Sequence, residues 1–68
     1  MTGTCLEWDI DKGYGTLQGS DGKRYFCHFS AIQSTDISLD VGEEVDFEPS
    51  MGKRGNEATL VKRSDNNG

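Results

Sequence analysis

Apolar and polar residues alternate along several short stretches of this chain, the two-residue period of strands with opposed faces. The pattern is most informative in Lys23-Arg24-Tyr25-Phe26-Cys27-His28-Phe29-Ser30. In an extended segment, Tyr25, Cys27 and Phe29 face one way, into a core, while Arg24, Phe26 and His28 face the other. A solvent-facing strand position has no packing reason to be Phe or His, so this pair reads as flat π surface kept for a flat ligand. The alternative is a strand covered on both faces, as in a sandwich, but a second sheet is hard to find in 68 residues.

The other elements follow from the same alternation. Thr4 to Asp9 reads as a first strand, with Cys5 inward and Leu6 and Trp8 on the opposite face if the alternation is unbroken. Asp11-Lys12-Gly13 turns the chain into a second strand, Lys12 to Leu17, with Tyr14 and Thr16 on one face and Leu17 on the other. Its glycines weaken it but allow close approach to the backbone. Gly19-Ser20-Asp21-Gly22 is a hairpin connection. Three strands so joined form a meander whose outer face carries Trp8, Tyr14, Phe26 and His28. Ser30-Ala31-Ile32-Gln33 predicts one helical turn started by Ser30. Ile37 and Leu39 anchor the loop that follows. Glu43 to Glu48 is a fourth strand ended by Pro49, Ser50 to Gly55 is a flexible basic loop, and Glu57 to Lys62 is a fifth strand. The expected architecture is all-β: a five-stranded antiparallel Greek-key barrel of the oligonucleotide-binding type over residues 1–63, with 64–68 a disordered polar tail.

Composition narrows the function. Hydrophobic residues make up 32% of the chain, so one thin core is all it can build, and no large catalytic cleft fits. No basic region leads into an apolar run, and no stretch is long and apolar enough to span a bilayer. The expectation is a soluble, cytoplasmic, monomeric protein with no membrane association. Cys5 and Cys27 sit at inward parity and read as buried reduced thiols. One His and two Cys do not make a four-ligand zinc set, and neither metal nor cofactor is expected. Nothing resembles a catalytic constellation or a phosphate loop, which argues against an enzyme.

Seven Lys and Arg against twelve Asp and Glu leave a net charge of −5, which opposes tight polyanion binding by electrostatics alone. The bases fall at Lys12, Lys23-Arg24, Lys53-Arg54 and Lys62-Arg63, whereas Asp36 to Glu48 carries six acids. Most of these are a solvated surface.

Lys12-Gly13-Tyr14-Gly15 together with Tyr25-Phe26-Cys27-His28-Phe29-Ser30-Ala31-Ile32-Gln33 resembles the cold-shock domain, whose two ribonucleoprotein motifs read approximately Lys-Gly-Phe-Gly-Phe-Ile and Val-Phe-Val-His-Phe. The resemblance covers nearly the whole chain. It implies binding of single-stranded RNA or DNA on the meander, with Tyr14, Phe26 and His28 at stacking positions, Phe29 at the edge of the face, and Lys12 beside it. Trp8 and Arg54 complete the candidate set. The chain also departs from the family. Where the family usually has Lys-Trp-Phe-Asn, this chain has Leu6-Glu7-Trp8-Asp9, so Glu7 replaces a stacking Trp. Thr16 replaces the second aromatic of the glycine motif. With stacking worth roughly 1–3 kcal/mol per base, a sequence-tolerant but weak binder is expected, acting as an RNA chaperone or a regulator of transcription or translation. The alternative is a barrel whose acidic surface meets a basic protein partner.

Overall fold

Strands account for most of the computed structural model, which describes residues 1–33 and 38–63. They are β1 (Thr2–Asp9), β2 (Tyr14–Gly19), β3 (Arg24–His28), β4 (Glu44–Gly52) and β5 (Gly55–Arg63), with a 3-10 turn, η1, at Phe29–Ala31. They close into a barrel in the order β1-β2-β3-β5-β4, the all-β arrangement of an oligonucleotide-binding barrel. Four contacts in the ring are antiparallel, but β3 meets β5 parallel at Phe26↔Glu57. An odd number of strands cannot alternate direction all the way round a closed ring, so one parallel seam closes the expected five-stranded antiparallel barrel.

Inside lie Cys5, Leu17, Tyr25, Cys27, Ile32, Leu39, Val45, Phe47, Ala58 and Val61, with Trp8 and Ala31 packed against them. The Tyr25 and Phe47 rings meet at 5.0 Å between centroids. Tyr25 is buried, and its hydroxyl donates to Asp21 Oδ2 at 2.6 Å. Asp21 Oδ1 accepts from the Lys23 amide at 3.0 Å, which ties the β2–β3 hairpin to the core ring. Both cysteines are free thiols and buried. Burial, and then the neighbouring Cys5, push the Cys27 thiol up to about 12. Burial also raises Cys5, partly opposed by its bond to the Glu7 carbonyl.

Two bulges break the alternation. In β1, Cys5 pairs with Leu17 but Glu7 pairs with Thr16, so Leu6 is an extra residue and every side chain after it changes face. In β5, Asp46↔Lys62 is followed by Glu48↔Thr59, which sets two residues, Leu60 and Val61, against Phe47. Leu60 takes the left-handed conformation, φ 49°, and is turned out to solvent while Val61 and Ala58 stay inside. The adjacent apolar residues at 60 and 61 are the trace of this bulge.

Other boundaries differ from those the pattern predicts. β4 runs through Pro49 to Gly52; its pairing to β1 covers only Glu44 to Asp46, and a strand with an open edge accepts proline. The basic stretch is consequently a tight hairpin, with Gly52 paired to Gly55 around Lys53 and Arg54. Phe29 does not continue β3 into the core; it opens η1 and is 40% exposed. The turn is capped by His28 rather than Ser30. Leu39 is buried as expected, whereas Ile37 and the tail 64–68 lie outside the described residues.

Candidate nucleic-acid interface

The outer face is built on the unbroken β2–β3 ladder, in which Tyr14 pairs with His28, Thr16 with Phe26 and Gln18 with Arg24. Their inward neighbours Gly15, Leu17, Tyr25 and Cys27 are buried, so parity alone forces these six side chains outward. Tyr14 and Phe26 are diagonal neighbours with ring centroids 5.2 Å apart and planes tilted by 44°. His28 and Phe29 continue the surface at 4.7 Å and 37°. The Arg54 guanidinium reaches across from the β4–β5 hairpin and sits 4.7 Å over the Phe26 ring, a cation–π contact.

Local structure holds these rings in place. His28 Nδ1 accepts from the Ser30 amide at 3.2 Å and lies 2.8 Å from the Ser30 hydroxyl. With Nδ1 accepting, the proton is assigned by this bonding pattern to Nε2, leaving an N–H donor on the other side of the ring. Gly13, at φ 77°, is required twice over: its conformation suits only glycine, and a Cβ there would lie 2.8 Å from Phe29 Cδ1. Lys12 lines a small recess of about 160 Å³ with Gly13 and Phe29, and its amide donates to Asp9 Oδ1 at 3.1 Å.

Trp8 is corrected. The β1 bulge pairs it with Gly15, so it leaves the sheet on the inward side, half-buried against the core, and its Nε1 is buried without a hydrogen-bond partner. Gly15 makes room for it, since a Cβ there would come within 2.6 Å of Trp8 Cε3. The outward place goes to Glu7, whose Oε2 accepts from the Thr16 hydroxyl at 3.3 Å. Trp8 reaches the face only as one wall of a shallow depression of about 520 Å³, lined also by Glu7, Asp9, Asp11, Tyr14 and Thr16.

The face is thus divided. Tyr14, Phe26, His28, Phe29, Lys12 and Arg54 come together, and the β1 side is acidic. Parity adds Arg24 and Gln18 to the aromatic side. The Glu7–Thr16 bond was not legible from alternation, though the resemblance placed both residues at stacking positions. Lys62 and Arg63 stand at the opposite end of β5 from Arg54, a separation of roughly 25–30 Å along a strand of this length. Arg63 there pairs with Glu43 at 2.8 Å and donates to the Ser38 carbonyl.

A small closed five-stranded barrel with an exposed aromatic ladder defines the class of oligonucleotide-binding folds. The family comparison is more specific: the model of the 'Cold-shock' DNA-binding domain matches residues 1–64, and the chain belongs to this family of nucleic-acid-binding, non-enzymatic proteins. Cold shock protein 2 of Lactiplantibacillus plantarum is 43% identical over 61 residues, covering 88% of this chain and 92% of its own. Cold shock protein CspC of Bacillus subtilis is 40% identical over 63 residues, covering 91% and 96%. Among solved structures, Drosophila Unr CSD456 superposes with a TM-score of 0.73 at 25% identity, covering 97% of this chain and 27% of that one. Among the described residues no helix is long and apolar enough to cross a membrane.

Proposed function

We propose that the chain binds single-stranded RNA or DNA on the β2–β3 face, stacking successive bases on Tyr14, Phe26, His28 and Phe29, with Lys12 and Arg54 meeting phosphates. The observation that carries this reading is the run of neighbouring rings, Tyr14 against Phe26 and His28 against Phe29, held on the solvent side of a sheet whose other side is the core. Stacking accepts any base, and a binder that exchanges quickly suits an RNA chaperone or a regulator of transcription or translation. The protein-partner reading has less support, because Glu43, one of the acids it would use, is spent on Arg63 and on the Asp40 amide.

The test is a titration with fluorescein-labelled hexauridine and hexathymidine, read by anisotropy at several salt concentrations. Few bases border the face, so two to four phosphates are neutralised and the log–log salt slope is expected at about 1.5–3 in magnitude. Dissociation constants are expected on the order of micromolar or weaker. Absence of binding at high protein concentration would overturn the reading, and a steep slope would show that a basic surface elsewhere carries it.

A further inference from the structure

We propose that this face holds one base-selective position, formed by Glu7 with Thr16, and that it favours guanine. The proposal rests on the single-strand reading above and adds discrimination at one place on an otherwise tolerant surface.

Register supplies the geometry. Phe26 pairs with Thr16 and Thr16 with Glu7, so the three stand in one row across β3, β2 and β1, all outward. Two interstrand spacings, about 10 Å, separate the row's ends. A base lying on Phe26 or Tyr14 therefore projects its edge across Thr16 toward Glu7. Beyond Thr16 the surface falls into the depression walled by Trp8, Tyr14 and Asp9, which leaves room for that edge. The Thr16 hydroxyl holds Glu7 Oε2 at 3.3 Å and so keeps the carboxylate turned toward the row.

Chemistry then selects the base. An ionised carboxylate only accepts hydrogen bonds, and bases stacked from a single strand are read on their Watson–Crick edges. Guanine shows two adjacent donors there, N1–H and the 2-amino group, which match the two carboxylate oxygens in a charge-assisted pair. Cytosine and adenine show one amino donor beside a ring-nitrogen acceptor. Uracil and thymine show one N–H between two carbonyl oxygens, which the carboxylate repels. Asp9 and Asp11 sharpen this choice by keeping phosphates away from the β1 side, so a base edge enters and the backbone follows Lys12 and Arg54. Selectivity arises as much from what the position rejects as from what it binds.

The test uses labelled hexauridine and the same strand with guanosine, inosine, cytidine or adenosine at one central position, measured by anisotropy. The guanosine strand should bind about tenfold tighter than hexauridine, and inosine, which lacks the 2-amino group, should lose most of that gain. Glu7→Gln should bring the guanosine-to-uridine ratio near one, and Glu7→Trp should strengthen all strands without restoring the preference. Equal binding of the guanosine and uridine strands by the unmodified chain, or a preference that survives Glu7→Gln, would overturn the proposal while leaving the interface standing. Failure of every strand to bind would overturn the interface, and this position with it.

Discussion

The two halves of the outer face are made from the same meander yet present opposite chemistry. On the β2–β3 half, five consecutive residue pairs stay in register, and each aromatic within those pairs lands where the alternation puts it. On the β1 half, one extra residue at Leu6 exchanges the faces of everything after it. Trp8, the chain's one indole, goes inward and Glu7 comes out. A single backbone irregularity thus converts what would be a third aromatic strip into a hydrogen-bonding strip, without any change in strand order. The difference teaches that the outer-face chemistry of so small a barrel is set by register at least as much as by composition.

The sharpest way to break this picture is to exchange the faces of β3. Cys27→Asp would place a charge in the core; desolvating an unpaired carboxylate costs more than a domain of this size has in reserve, so no cooperative thermal transition should remain. Phe26→Ala, one residue away, should keep the melting transition and lose roughly 1–3 kcal/mol of single-strand binding. If Phe26→Ala also unfolds the protein, or Cys27→Asp melts normally, the face assignment is wrong.

The β1 side offers the converse experiment. Thr16→Phe removes the hydroxyl that holds Glu7 and sets a ring directly opposite Phe26, so affinity for oligouridine should rise by roughly 1–3 kcal/mol. Titration of the variant beside the unmodified chain decides it. No gain would mean that strands do not cross β2 at this point.

How far the sequence could be read depended on the same feature. Tyr25, Cys27, Phe26 and His28 were legible because Arg24–His28 is regular. The inward place of Trp8 was not, since a bulge leaves no composition signal at Leu6 and the resemblance only aligned Trp8 with a Phe position. The extension of β4 past Pro49 was hidden because proline stops strands only where both edges are paired. Arg54 was legible only as a basic residue bordering the face, because its seat over Phe26 depends on a hairpin far away in sequence. His28 as the cap of η1 was masked by Ser30, the more usual capping residue type.

A smaller effect separates the hairpin from the ligand face. Asp21 is held below the usual carboxylate range, first by the Tyr25 hydroxyl and then by the Lys23 amide. The same contact raises Tyr25 above its ordinary value. A depressed carboxylate contributes stability that is complete above its unfolded value, near pH 4, and is lost as pH falls through the lower folded value. A raised phenol contributes below about pH 10 and loses that contribution as pH rises through its folded value. Asp21→Asn should therefore melt lower than the parent at pH 7, with the gap closing toward pH 2, and binding should not change. A gap that stays constant from pH 7 to pH 2 would remove the linkage.

The smallest expected effect falls at Trp8, where the two halves meet. Its indole N–H is buried and unpartnered, a defect of about 1–3 kcal/mol. Trp8→Phe deletes that donor and also some of the packing over Gly15, a cavity cost of similar size. The two nearly cancel, so the melting temperature should move by only a few degrees. Binding, followed by anisotropy because the fluorophore is gone, should stay within about twofold on the proposed reading, in which bases stack on the β2–β3 rings and not on a ring that leaves the sheet on the core side. A tenfold loss of affinity in Trp8→Phe would return the indole to the ligand face, and with it the β1 side would count again as stacking surface.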